Sequence, residues 1–214
     1  MHLATTDELA TSLAADLRRQ AVALAVGALD AYFCDAYVDV LAGSLGKAKA
    51  GTRSLPSAYK KELLPAGAML AAYNNRPNWG LRMAARERME KDNMLRLSRI
   101  KEMFNPVLPG PAKLWDSLMP RYRALNRKRL TKYTHVEIAS KTGTAESDAL
   151  GASRAALMTR MGAIVQRRHD IVHNCDRPKQ SLLSLTPITA SRMVADVRSF
   201  VEIFDDHLAQ HRLA

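Results

Sequence analysis

The residues best suited to chemistry lie in one run, IVQRRHDIVHNCDRPK, from Ile164 to Lys179. At helical spacing Met161, Ile164, Val165, Ile171, Val172 and Cys175 fall near one face. Arg168 stands inside that face, four residues after Ile164 and four before Val172, and His173 follows it by five. A charge on an apolar face costs free energy unless it is paired or reaches solvent. Three chemistries account for such a residue. Arg168 is structural if it pairs with an acid such as Asp30 or Asp35, or carries its head to the edge of the stripe. His169 and His173, four apart on one helix face, have the spacing of metal ligands, with Cys175 or Asp170 available as a third. The third chemistry is phosphoryl transfer on RNA. The guanidinium is a permanent planar cation matched to phosphate, and imidazole moves protons near neutral pH. RNA brings its own nucleophile in the 2′-hydroxyl, so one arginine and one histidine suffice without a metal. Residues five apart on a helix point about 140° from each other. They converge through the long arginine side chain, through fraying near Asn174, or through two copies across a two-fold axis.

These residues need helices to hold them, and the composition supplies helices. Hydrophobic residues make up 47% of the 214 and aromatics only 6%, with Ala, Leu, Arg and Met abundant. Hairpin signals and β-branched alternation are nearly absent. The expected class is all-α: a helical bundle with long N- and C-terminal helices and an irregular helical insert, in a single domain over 1–214. A helix is expected from the Thr5–Glu8 capping box to about Ala42, stopping at Gly43. GSLGKAKAGTRSLPS (43–57) reads as a loop, opening an insert of about 44–143. Short helices are expected over 58–64, 66–73, 79–91 and 93–104, with prolines at 65, 77, 106, 109, 111 and 120 between them. A long helix fits 147–173, after a turn in SKTGTAESD. The last helix starts at Thr186–Pro187, with Met193, Val197, Phe200, Val201, Phe204 and Leu208 as its apolar face. Trp79 and Trp115 are expected in the core or an interface.

The net charge of +11 favours a polyanion as partner. RYRALNRKRLTK concentrates it: Arg121, Arg123, Arg127, Lys128, Arg129 and Lys132 could track a phosphate backbone, joined by Arg167 beside the motif. Tyr122 and Tyr133 could stack on unpaired bases, or the segment is a solvated helix face with core tyrosines. Two cysteines, Cys34 and Cys175, read as reduced thiols rather than a disulfide framework. MHLATTDELA lacks the apolar core of a signal peptide, and AVALAVGAL (21–29) is too short to span a bilayer before Asp30. A cytoplasmic protein with no membrane partner is expected.

RRHDIVHNCD, with Arg168 and His173 separated by four residues, resembles the R-x(4–6)-H signature of the HEPN superfamily, in particular its RiboL-PSP-type branch. AVALAVGALDAYFCDAYVDVL (21–41) resembles that branch's first helix. The resemblance covers both ends of the chain and leaves the middle unmatched. It implies a dimerising helical bundle whose composite cleft cleaves RNA by 2′-hydroxyl attack, with no cofactor and no metal, leaving a 2′,3′-cyclic phosphate. It further implies a toxin or antiphage role, with an antitoxin or defence-system protein as a possible partner. Arg168 then steadies the phosphorane and His173 is the acid or base. Asp170, Asn174 and His169 flank them, and Asp30 is a supporting acid from the first helix. The R-x4-H-x-Y form of another branch is not met, because Cys175 stands where its tyrosine would be. A silent HEPN module binding RNA or a protein, and a His/Cys metal-binding helical protein, are the alternatives.

Overall fold

Ala- and Leu-rich stretches with few β-branched runs keep rotamer freedom in a helix and none of the cross-strand pairing a sheet needs. The computed structural model describes residues 6–70, 76, 78–90, 92, 94–108, 114–174 and 183–212, and among them there are helices and no β-strand. The all-α expectation holds. In chain order the α-helices are α1 (Thr6–Lys49), α2 (Ala66–Leu70), α3 (Trp79–Met89), α4 (Leu97–Phe104), α5 (Leu114–Ala124), α6 (Lys128–Thr131), α7 (His135–Ala139), α8 (Gly143–Asn174) and α9 (Pro187–Arg212). Short 3-10 turns cover Tyr59–Lys61 and Asn105–Val107.

The chain forms two compact units and passes through each twice: Met1–Leu29 with Met119–Phe204, and Asp30–Leu118 with Asp205–Ala214. The first unit holds α6, α7 and α8 whole, and α6 and α7 pack on α8. Its interior includes Val22, Val26 and Leu29 of α1, Leu157, Met161 and Ile164 of α8, and Val197 and Phe200 of α9. Tyr122 stacks on Phe200 with ring centroids 5.6 Å apart and donates its hydroxyl to the Phe200 carbonyl. In the second unit, Phe33 and Tyr37 of α1 meet Phe104 edge-on at 6.1 and 6.0 Å, and Tyr59 donates to the Met103 carbonyl at 2.7 Å.

Several boundaries differ from the sequence expectation. The cap at Thr5 lies outside the described residues. α1 runs through Gly43 and Gly46 to Lys49, because neither glycine is followed by a stop. The stop comes at Gly51, whose φ of +70° only glycine adopts without strain. There the Thr52 amide donates to the Lys47 carbonyl and the Gly51 amide to that of Ala48, which closes the helix end. Gly46 instead serves close approach: a Cβ there would stand 2.8 Å from the Asn78 side-chain amide. The 58–64 helix contracts to a 3-10 turn, and α4 begins at Leu97 because Asp92 and Met94 are tied down first. Asp30 accepts the Met94 amide at 2.9 Å, and Asp92 pairs with Arg88 and Arg99 at 3.2 and 2.8 Å. α5 carries exposed Pro120 within it rather than breaking there. α8 starts at Gly143 (φ +62°), and α9 starts at Pro187 behind Thr186, whose hydroxyl accepts the Thr189 amide.

α1 also differs in apolar extent. By length and composition alone, Ala10–Lys49 is sufficient to cross a bilayer, with an 18-residue window of mean hydropathy 1.5. Val22, Val26, Leu29 and Phe33 are buried in protein, while Leu13, Leu17 and Leu24 are 61%, 56% and 73% exposed.

One ion cluster ties the first unit together. Asp196 of α9 is fully buried, among the apolar positions of that helix. Arg129 of α6 grips both its oxygens, Nη2 to Oδ1 at 2.6 Å and Nε to Oδ2 at 3.1 Å, and Arg160 of α8 adds Nε to Oδ2 at 2.9 Å. Removing one partner of a buried pair leaves an uncompensated charge, at about 3–5 kcal/mol. Asp196→Ala is therefore expected to lower the thermal midpoint by roughly 10 °C, with Asp196→Asn in between. A loss of under about 1 kcal/mol in denaturant titration would show the cluster to be solvated.

Candidate functional site

α8 carries the Arg–His pair, and its surroundings change along its length. Met161 and Ile164 are fully buried. Val165 and Ile171 are half-buried, and Val172 is 47% exposed. The apolar stripe thus begins in the core and opens towards solvent, with half-buried Arg168 at the transition. Partial exposure relieves the cost of the charge. Among the described residues Arg168 makes no hydrogen bond or ion pair. The structural reading through Asp30 or Asp35 is not what forms: Asp30 accepts from Met94, and Asp35 pairs with Arg86 at 2.9 Å. Asp30, expected as a supporting acid of the motif, uses one carboxylate oxygen to hold that backbone amide.

His169 and His173 are exposed, with ring centroids 4.6 Å apart. Asp170 accepts from Gln166 one turn back at 2.9 Å. α8 continues unbroken through Asn174, so Arg168 and His173 keep the angular separation of a regular helix, about 140°. Cys175 lies outside the described residues. Among those described, no group of three or more His, Cys, Asp or Glu is placed to hold a metal ion.

Arg167, expected as an RNA contact, is engaged with the backbone before α9. Its Nη2 donates to the Leu183 carbonyl at 3.0 Å and to that of Ser184 at 3.4 Å. Arg18 of α1 donates to the Leu185 carbonyl at 3.0 Å. Val22, Leu185 and Ala190 form a small apolar cluster on which Ile171 and Met193 pack. Two arginines and this cluster seat the strand of chain that leads into α9 against the end of α8 carrying the motif. Each holds backbone carbonyls that a non-helical segment would otherwise leave to water.

In the basic segment several cations have partners within the protein. Arg129 is bound to Asp196. Arg127 donates to the Ser199 hydroxyl at 2.8 Å. Lys128 meets Glu137 at 2.5 Å. Arg123 is 7% exposed, and its Nε and Nη1 find no hydrogen-bond partner. Burial lowers its pKa, with the charge of Glu146 opposing. Arg121 is half-buried, while Lys128, Arg129 and Lys132 are exposed, Lys132 near the Tyr133 ring at 5.6 Å. Tyr122 is core, not a base platform. Tyr133 is half-buried, with Lys132 and Lys141 each 5.6 Å from its ring. Trp115 is buried as expected, while half-buried Trp79 lies under the Arg76 guanidinium at 5.1 Å. The residue that sequence reasoning missed is Asp196, whose signal was present. It stands three after Met193 and four before Phe200, a charge in a greasy stripe like Arg168.

No family model matches the chain, and no curated protein and no solved structure is similar to it.

Two outcomes follow from the basic segment. Arg123→Met removes a buried cation lacking direct partners and keeps its packing, so it should raise stability by about 1 kcal/mol; a loss of that size in urea titration would reveal a partner for it in solution. Glu137 closes a capping box with Thr134 at the start of α7. Hydrogen bonds from Lys128 and then Thr134 hold its carboxyl down from 4.5 to about 2. A depressed carboxyl contributes stability above its unfolded pKa and loses it as pH falls through the folded value. The melting-temperature gap between wild type and Glu137→Gln should thus be full at pH 7, shrink below pH 4.5 and close near pH 2. A gap constant with pH would mean the carboxylate charge contributes nothing.

Proposed function

We propose that the protein is a metal-independent endoribonuclease of HEPN type that acts as a cytoplasmic homodimer on RNA, as a toxin or antiphage effector with an antitoxin or defence-system partner. The observation that carries the reading is Arg168: a half-buried guanidinium without a hydrogen bond or ion pair among the described residues, on the same helix end as exposed His173. A cation and a proton-transfer group brought to one phosphate are what an oxyphosphorane site requires. The chemistry is closed in itself. The 2′-oxygen of RNA attacks the adjacent phosphorus, the 5′-oxygen departs with a proton, and a 2′,3′-cyclic phosphate remains. His173 moves the protons and Arg168 balances the charge on the equatorial oxygens. Because α8 is regular through Asn174, the two groups of one chain diverge. A two-fold pairing of α8 ends lets Arg168 of one copy face His173 of the other. Exposed Val172 supplies apolar surface for such pairing.

The test is cleavage of total cellular RNA in excess EDTA by wild type, Arg168→Ala and His173→Ala. Both side chains are at least partly exposed, so both variants should fold. Wild type should yield cyclic-phosphate ends, with a loss of about 10²–10⁴-fold for His173→Ala and of about 10²–10³-fold for Arg168→Ala. Equal cleavage by His173→Ala would sink the assignment. RNA binding without turnover in any of the three points to a silent binding module. Activity that needs added zinc moves the site to the adjacent His169 and His173 rings.

A further inference from the structure

The second unit contains a cavity of about 250 Å³ that has no part in the Arg–His motif. The end of α1, the 53–56 segment, the Asn105–Val107 turn and the end of α9 enclose it. Its apolar wall is Val40, Pro56, Val107 and Leu208, and Lys47 and Arg53 line it as well. Among the described residues neither cation has a carboxylate partner. The one acid on the wall, Asp39, is engaged by Arg82. Two unneutralised cations beside an apolar chamber make a site of mixed character, and the chemistry that satisfies both halves is an anion with a hydrophobic body.

Size narrows the class. An apolar cavity of about 150 Å³ takes one benzene ring. This cavity suits a single aromatic ring or a branched chain carrying one carboxylate, and it is small for a nucleotide. We propose that this cavity binds a small monocarboxylate with an aromatic or branched aliphatic body, its carboxylate on Lys47 and Arg53 and its body against Val40, Pro56, Val107 and Leu208. The site shares no residue with the ribonuclease reading and stands or falls separately.

The experiment titrates phenylacetate, 2-phenylethanol and acetate into the full-length protein, followed by heteronuclear NMR. Phenylacetate is expected to bind with a Kd of roughly 0.1–1 mM. 2-Phenylethanol lacks the charge and acetate lacks the body, and each should bind at least tenfold more weakly. Lys47→Gln/Arg53→Gln changes two exposed residues, so circular dichroism should be unaltered while phenylacetate affinity falls at least tenfold. Val107→Trp fills the chamber and should abolish binding with the cations intact. Equal affinity for phenylacetate and 2-phenylethanol overturns the proposal, because the cations then select nothing. So does the absence of phenylacetate binding, or binding unchanged in both variants.

Discussion

A single buried carboxylate organises the first unit. Asp196 is wholly sequestered and held by Arg129 and Arg160, so α6, α8 and α9 meet at one charge. Such a cluster stabilises only when complete, because each ion gives up hydration that its partners must replace. Its larger consequence is for register. Any slide of α9 along α8 pulls the carboxylate from guanidinium forks that bond in one geometry. The stacking of Tyr122 on Phe200, one turn further along α9, depends on the same register. So does the hydrogen bond from Arg127 to Ser199.

That constraint separates the two kinds of arginine in the unit. Arg129, Arg160, Arg127, Arg167 and Arg18 all hold something internal: a carboxylate, a hydroxyl or a backbone carbonyl. Among the described residues Arg168 holds none of these, and it stands where the stripe of α8 passes from core to surface. Within the 121–132 segment, Arg127, Lys128 and Arg129 each hold a partner inside the protein.

Helices were legible because they are local. The 3.6-residue recurrence of apolar side chains marked α1, α8 and α9, and Thr186–Pro187 marked the start of the last to the residue. Ends were less legible where one residue type has two uses. Gly43 reads as a stop and Gly46 as part of the loop after it, but both lie within α1, Gly46 with Asn78 packed against it. Gly51, which does end the helix, looks the same in sequence, and the difference is a backbone angle. Asp92 and Met94 held back the start of α4 through bonds to Arg99 and Asp30, which no local pattern announces.

The sequence by itself determined that the chain is helical, where its long helices lie, and that Arg168 and His173 share the end of one of them. Those properties follow from side-chain periodicity and backbone chemistry within a few turns. Tertiary structure alone decided which charges find partners. Arg129 and Asp196 are 67 residues apart and Arg160 and Asp196 are 36 apart, distances over which no periodicity carries information. Asp196 and Arg168 present the same pattern in sequence, a charge in an apolar stripe. Burial beside two guanidinium groups made one the anchor of its unit, while the other, half-buried, has no hydrogen bond or ion pair among the described residues, because the strength of a charge's interactions is set by the solvent and ions around it rather than by its neighbours in the chain.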